Sequence, residues 1–114
     1  MARTIAGNSF AEVFRNIEAD QEVYDAQERS AAATLAAWLE SHDRNKLALR
    51  PDSTSAEREA NLREHDRLWE TRPFTGNPFS VGASFKQVAV GPVQFTVWPD
   101  IGGPGMNVGV DRIA

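Results

Sequence analysis

Charge nearly stops at Arg72. The first 72 positions carry 24 Asp, Glu, Lys and Arg residues, whereas the last 42 carry only Lys86, Asp100, Asp111 and Arg112. Charged stretches with helical periodicity sit on a surface, whereas a charge-poor stretch rich in Phe, Val, Gly and Pro must be buried, paired into strands or covered. That division predicts an α+β fold: two N-terminal helical segments, the first long or kinked, packed on a small C-terminal three-stranded antiparallel sheet. At 114 residues the chain has the usual length of one domain. The expected organisation is therefore a single unit over 1–114, with a charged helical part at 1–72 and a β-rich part at 73–114.

The helical part has readable signals. Ser9 with Glu12 fits a capping box, in which the hydroxyl caps the third helical amide and the carboxylate returns to the cap. At 100° per residue Phe10, Val13, Phe14, Ile17, Tyr24, Ala31, Leu35, Trp38 and Leu39 share a face. An unbroken helix over 9–41 would run on the order of 50 Å. That is long for a domain of this size, and Asp20, Gln21 and Glu28 interrupt the apolar face, so a break near 18–22 is expected. His42, Asp43 and Asn45 read as terminators, and Pro51 forbids continuation. Thr54 with Glu57 opens a second helix to about residue 71 with a narrow apolar edge of Leu62, Leu68 and Trp69. Glu59–Arg63, Glu64–Arg67 and Arg67–Glu70 stand at pairing distance along it.

After Pro73, 74–83 reads as a Gly/Pro/Asn loop. Residues 85–90 and 93–98 read as strands joined at Gly91-Pro92, and 106–110 as a third strand. In 93–98 the alternation sets Val93, Phe95 and Val97 against Gln94, Thr96 and Trp98.

Composition excludes several chemistries. With no cysteine, thiolate-ligated zinc, iron–sulfur clusters, thiol catalysis and disulfides are ruled out. No apolar run reaches the length of a signal-peptide core or a membrane span, so no membrane association and a cytoplasmic location are expected. A net charge of −4 argues against direct nucleic-acid binding. Arg44, Lys46 and Arg50 form one basic set, but no aromatic platform is interleaved with it. Gly102-Gly103-Pro104-Gly105 lacks the following helix and the Lys of a phosphate loop. Ser80 and Ser84 have no local base. His42-Asp43 and His65-Asp66 are adjacent pairs, and adjacent residues on a helix point about 100° apart, so neither makes a ready relay. No catalytic residue, metal or cofactor is expected.

Two surfaces remain as candidates for a protein partner. Glu18, Glu22 and Asp25 fall on one helical stripe with only Arg15 and Arg29 near, and suit a basic surface of the kind nucleic-acid-binding complexes present. Phe74, Phe79, Phe85, Phe95 and Trp98 form a charge-poor aromatic group, of which Phe74, Phe79 and Trp98 are the candidate contact residues. The expected function is a non-enzymatic interaction protein bound to a larger complex. In size and charge alone, with no residue motif, the chain resembles phage and mobile-element accessory factors, including anti-CRISPR inhibitors of host defence nucleases. One alternative is a structural or assembly subunit of a phage or secretion apparatus, forming a homo-oligomer through open sheet edges. Another is a small enzyme using carboxylates or a His in a cleft, which would require a concave pocket with perturbed titratable groups.

Overall fold

The computed structural model describes residues 2–79, 86–100, 102–103 and 105–113. The chain runs β1 (Ala2–Ala6), α1 (Phe10–Ala19), α2 (Ala26–Leu47), α3 (Ser55–Glu70), β2 (Thr75–Gly76), β3 (Lys86–Val90), β4 (Val93–Pro99) and β5 (Gly105–Arg112). The class is α+β, but the sheet has five strands rather than three and the helices number three rather than two. Its order is β1-β5-β4-β3-β2, antiparallel throughout.

The first helix breaks, and local hydrogen bonding shows why. The Asp20 carboxylate accepts from the amides of Glu22 (3.3 Å) and Val23 (3.2 Å), an Asx turn that competes with helix continuation. The chain restarts at Asp25, whose side chain accepts from the Glu28 amide at 2.8 Å while Glu28 returns to the Asp25 amide at 3.0 Å. The helix therefore breaks where Asp20 and Gln21 interrupt the apolar face, and this full capping box, which sequence patterning did not mark, starts the second piece. At the start of α1 the box is displaced: Ser9 accepts from Glu12 N–H, but the Glu12 carboxylate reaches the amide of Asn8, not that of Ser9. The Thr54–Glu57 box is complete.

α2 continues six residues past Ser41, the expected end of the helix, through His42, Asp43 and Asn45, which read as terminators. The Ser41 hydroxyl donates to the Ala37 carbonyl, so this residue is accommodated within the helix rather than ending it. Arg44 and Lys46 then sit in the last turn, where the helix dipole favours cations.

β1 and β2 form the two edges of the sheet. β1 registers on β5, Ala2 opposite Gly109 and Ile5 opposite Met106. β2 adds two residues to β3, with Gly76 at φ 91 because a Cβ there would meet the Gln87 carbonyl oxygen at 2.1 Å. Between β3 and β4, Gly91 (φ 57) and Pro92 make the expected two-residue turn.

α1 and α2 pack side by side on one face of this sheet, and α3 packs on α2. The core between the layers takes Val13, Phe14, Ile17, Leu35 and Leu39 from the helices, and Ile5, Val88, Val93, Phe95, Val97 and Val108 from the strands. Tyr24, Ala31 and Trp38 of the expected apolar face are also buried, and Phe10 is partly so. The narrow edge expected of α3 is narrower still: Leu68 is its one buried residue, and Leu62 is 62% exposed. Of the expected ion pairs on α3, Glu64–Arg67 forms; Glu59–Arg63 and Arg67–Glu70 do not. No described helix is long and apolar enough to cross a membrane.

Candidate functional site

Where α3 docks, α2 presents Trp38 and His42 on one stripe. The Trp38 indole N–H donates to the Leu68 carbonyl at 2.8 Å. Its ring meets Trp69 edge-on at 5.2 Å and Phe74 at 4.8 Å, and stacks on His42 at 5.2 Å. His42 in turn stacks on Phe79 at 4.7 Å and faces His65 of α3 at 5.8 Å. The two histidines, 23 positions apart in sequence, thus meet at the edge of an aromatic cluster.

They also line one groove. It has a volume of about 380 Å³ and is bounded by His42, Asn45, Lys46 and Leu49 on one side and Asn61, Leu62 and His65 on the other. Its polar residues include a crossed amide pair: Asn45 donates to the Asn61 carbonyl at 3.2 Å, and Asn61 donates to the Asn45 backbone carbonyl at 2.5 Å and side-chain oxygen at 2.9 Å. These bonds tie α2 to α3 below the aromatic cluster. The histidine–aspartate distances, 4.0 Å for His42–Asp43 and 3.6 Å for His65–Asp66, exceed hydrogen-bond length. Among the described residues no three His, Asp or Glu side chains converge as a metal site.

Burial pushes the His42 imidazole below its ordinary value of 6.5, and His65 and Lys46 push the same way against Asp43. Its side chain is only 13% exposed, and its Nδ1 is buried with no hydrogen-bond partner. The folded protein therefore binds this proton more weakly than the unfolded chain. As pH falls through 6.5 the unfolded chain protonates first, and stability falls until the folded-state value has been passed. Folding stability is expected to fall between pH 7.5 and 5.5, by no more than about 1.4 kcal/mol per pH unit from this one group, and the melting temperature should drop with it. His42→Phe, which keeps a stacking ring without the titration, should flatten that slope; an unchanged slope would remove His42 as its source.

The residues of the expected acidic stripe separate. Glu18 lies near the end of α1, Glu22 in the turn, and Asp25 at the cap of α2, so no single helix face carries all three. Glu18 accepts from Arg15 at 2.7 Å, and Arg15 also donates to Glu40 at 2.6 Å. Asp25 bonds Arg112 of β5. The Glu28 amide, and then Arg112, hold its carboxyl below the usual range. Of the three, Glu22 alone has no ion-pair partner among the described residues.

The aromatic set separates as well. Phe74 is 4% exposed and belongs to the Trp38 cluster, and Phe79 is partly covered against His42. Phe95 is fully buried. Phe85, Ser80 and Ser84 lie outside the described residues, as does Pro104 of the glycine-rich stretch. Trp98 is different. It points away from the helices, half-buried, in a row with Gln94 and Thr96. Across from them stand Asn107, Gly109 and Asp111 of β5, then Thr4 of β1, whose hydroxyl donates to the Asn107 side-chain oxygen at 2.7 Å. The indole lies over Gly109, where a Cβ would stand 4.0 Å from its Cζ3. Asp111 is the one charged side chain on this face among the described strand residues.

Sequence patterning placed Trp98 on the row opposite Phe95, where the structure has it, but missed the histidine groove. The available signal was the i, i+3, i+4, i+7 spacing of His42, Asn45, Lys46 and Leu49, hidden by reading 41–52 as a connection. Comparison of the chain with protein-family models, with curated proteins and with solved structures found no match in any of the three.

Proposed function

We propose that the chain is a non-enzymatic interaction protein that seats on a larger protein complex through the open face of its sheet, with Trp98 as the anchor. The observation that carries this reading is a half-buried Trp on a sheet face that, among the described residues, is nearly uncharged and covered by no helix. Trp is the residue type most enriched where truncation costs a complex most, and a flat surround of Thr, Asn, Gln and Gly leaves few charges to desolvate on contact. The acidic residues support the reading less strongly, because Glu18 and Asp25 are already engaged within the chain.

The test is affinity capture from the native host with the tagged chain, followed by mass spectrometry. The resemblance in size and charge to phage and mobile-element factors makes host defence nucleases the first complexes to look for. Trp98→Arg should weaken capture by at least about 30-fold, as for an interface hot spot, with a melting temperature near that of the parent. Glu22→Lys should leave capture intact. Full capture by Trp98→Arg would overturn the assignment, and loss with Glu22→Lys alone would move the contact to the acidic turn.

A second reading, assembly into a homo-oligomer, is favoured by the edge of β1, which pairs with β5 and with no other described strand. Light scattering separates the two: a monomer at micromolar concentration supports the first, a stable dimer or ring the second.

A further inference from the structure

We infer that the groove between the C-terminal half of α2 and α3 is a binding site for a small amphiphilic carboxylate, an apolar chain or ring bearing one anionic head. Its dimensions fall within the range of small-ligand sites, which are mostly apolar with a few convergent polar groups. The apolar part is supplied by Leu49 and Leu62, 41% and 62% exposed, which face the same space and leave apolar surface in water.

The polar part has a definite sign. In a chain of net charge −4, the lining contains no carboxylate. It contains the Lys46 ammonium, two imidazoles and two amides. Asp43 and Asp66, beside the histidines in sequence, are not among the lining residues. An anion entering here meets one fixed positive charge and polar imidazole and amide groups; a cation meets Lys46 and no carboxylate among the lining residues. An apolar body on Leu49 and Leu62 with its carboxylate toward Lys46 and His65 satisfies both parts of the lining.

The site is prepared rather than adaptable. The crossed Asn45–Asn61 pair fixes the helix separation, and the aromatic cluster behind His42 holds that ring in place. Such rigidity reduces the ordering cost of binding. It lies apart from the Trp98 face, so either surface stands or falls without the other.

Octanoate is the probe, with octylammonium and octan-1-ol as controls, each titrated at millimolar concentration against isotope-labelled protein and followed by NMR. Octanoate is expected to shift the Leu49 and Leu62 methyls and the His42 and His65 ring signals. Lys46→Glu should weaken octanoate about tenfold, the order expected of a hydrogen bond to a charged group. Leu62→Asp should abolish binding, and both positions are exposed enough to change without unfolding the chain. Equal binding of octylammonium, shifts centred elsewhere, or octanoate binding unaffected by Lys46→Glu would each overturn the proposal. The same groove signals moving on concentration of the protein alone would assign the groove to a second copy instead.

Discussion

Trp38→Ala is expected to remove about 3–5 kcal/mol of folding stability, the range for deleting a buried aromatic. The indole is 6% exposed and touches the rings of Trp69, Phe74 and His42. Removing it takes away those ring contacts and leaves the Leu68 carbonyl without the indole donor. Against a total stability of about 5–15 kcal/mol for a typical domain, the loss brings the protein close to its unfolding threshold. The loss should also be local first. α3 buries only Leu68, so its attachment depends on this cluster and on the Asn45–Asn61 bonds. Amide exchange in α3 should therefore accelerate more than exchange in β4, and Trp38→Phe, which restores ring volume but not the N–H donor, should fall between. A urea midpoint shift equivalent to less than about 1.5 kcal/mol would mean that the cluster does not hold α3 in place.

Phe95→Ala should cost a similar amount by a different route. Phe95 is fully buried at the centre of β4 and meets Phe14 of α1 edge to face at 5.1 Å and 75°. This pair crosses the boundary between the layers, so its loss loosens helices from sheet rather than one helix from another. About 3–5 kcal/mol is expected for the single substitution. A double-mutant cycle with Phe14→Ala should show a coupling of about 0.5–1.5 kcal/mol, the amount an edge-to-face pair contributes beyond area. Here the transition should stay cooperative, with α3 and β4 losing protection together. Additive single losses would mean that the rings occupy neighbouring space without acting as a pair.

These two aromatic centres differ in how legible they were from sequence. Phe14 and Phe95 follow directly from periodicity: one lies on the 3.6-residue face of the first helix, the other on the inward row of a strand. Signals that act within four residues also survived, including the Thr54 box and the Gly91-Pro92 turn. What failed depended on distance along the chain. β1 carries a single buried side chain, Ile5, so its alternation is too short to register, and its partner lies about a hundred positions away. Asp25 read as one acid in a stripe because its capping role needs the Asp20 turn to stop the preceding helix, and propensity alone does not reveal that competition. His42 read as a terminator together with Asp43 and Asn45: polar residues weaken a helix locally, yet packing of Trp38 against Trp69 and Phe74 carries α2 through them. A groove built by two helices that meet through such packing has no signature in either helix alone.

The sheet's wiring has a consequence for the chain while it is being made. The apolar side of α1 and α2 is complete once Leu47 has been added, but the strands it packs on, β3, β4 and β5, all come after residue 85. At roughly 5–20 residues per second, Phe14, Ile17, Leu35 and Leu39 wait several seconds on the ribosome with no surface to cover them. β1 waits longest, since its one partner among the described strands is β5. The nascent helical pair is thus a sticky intermediate of defined lifetime, and slow decoding between residues 47 and 93 would lengthen the interval in which chaperones or aggregation compete for it.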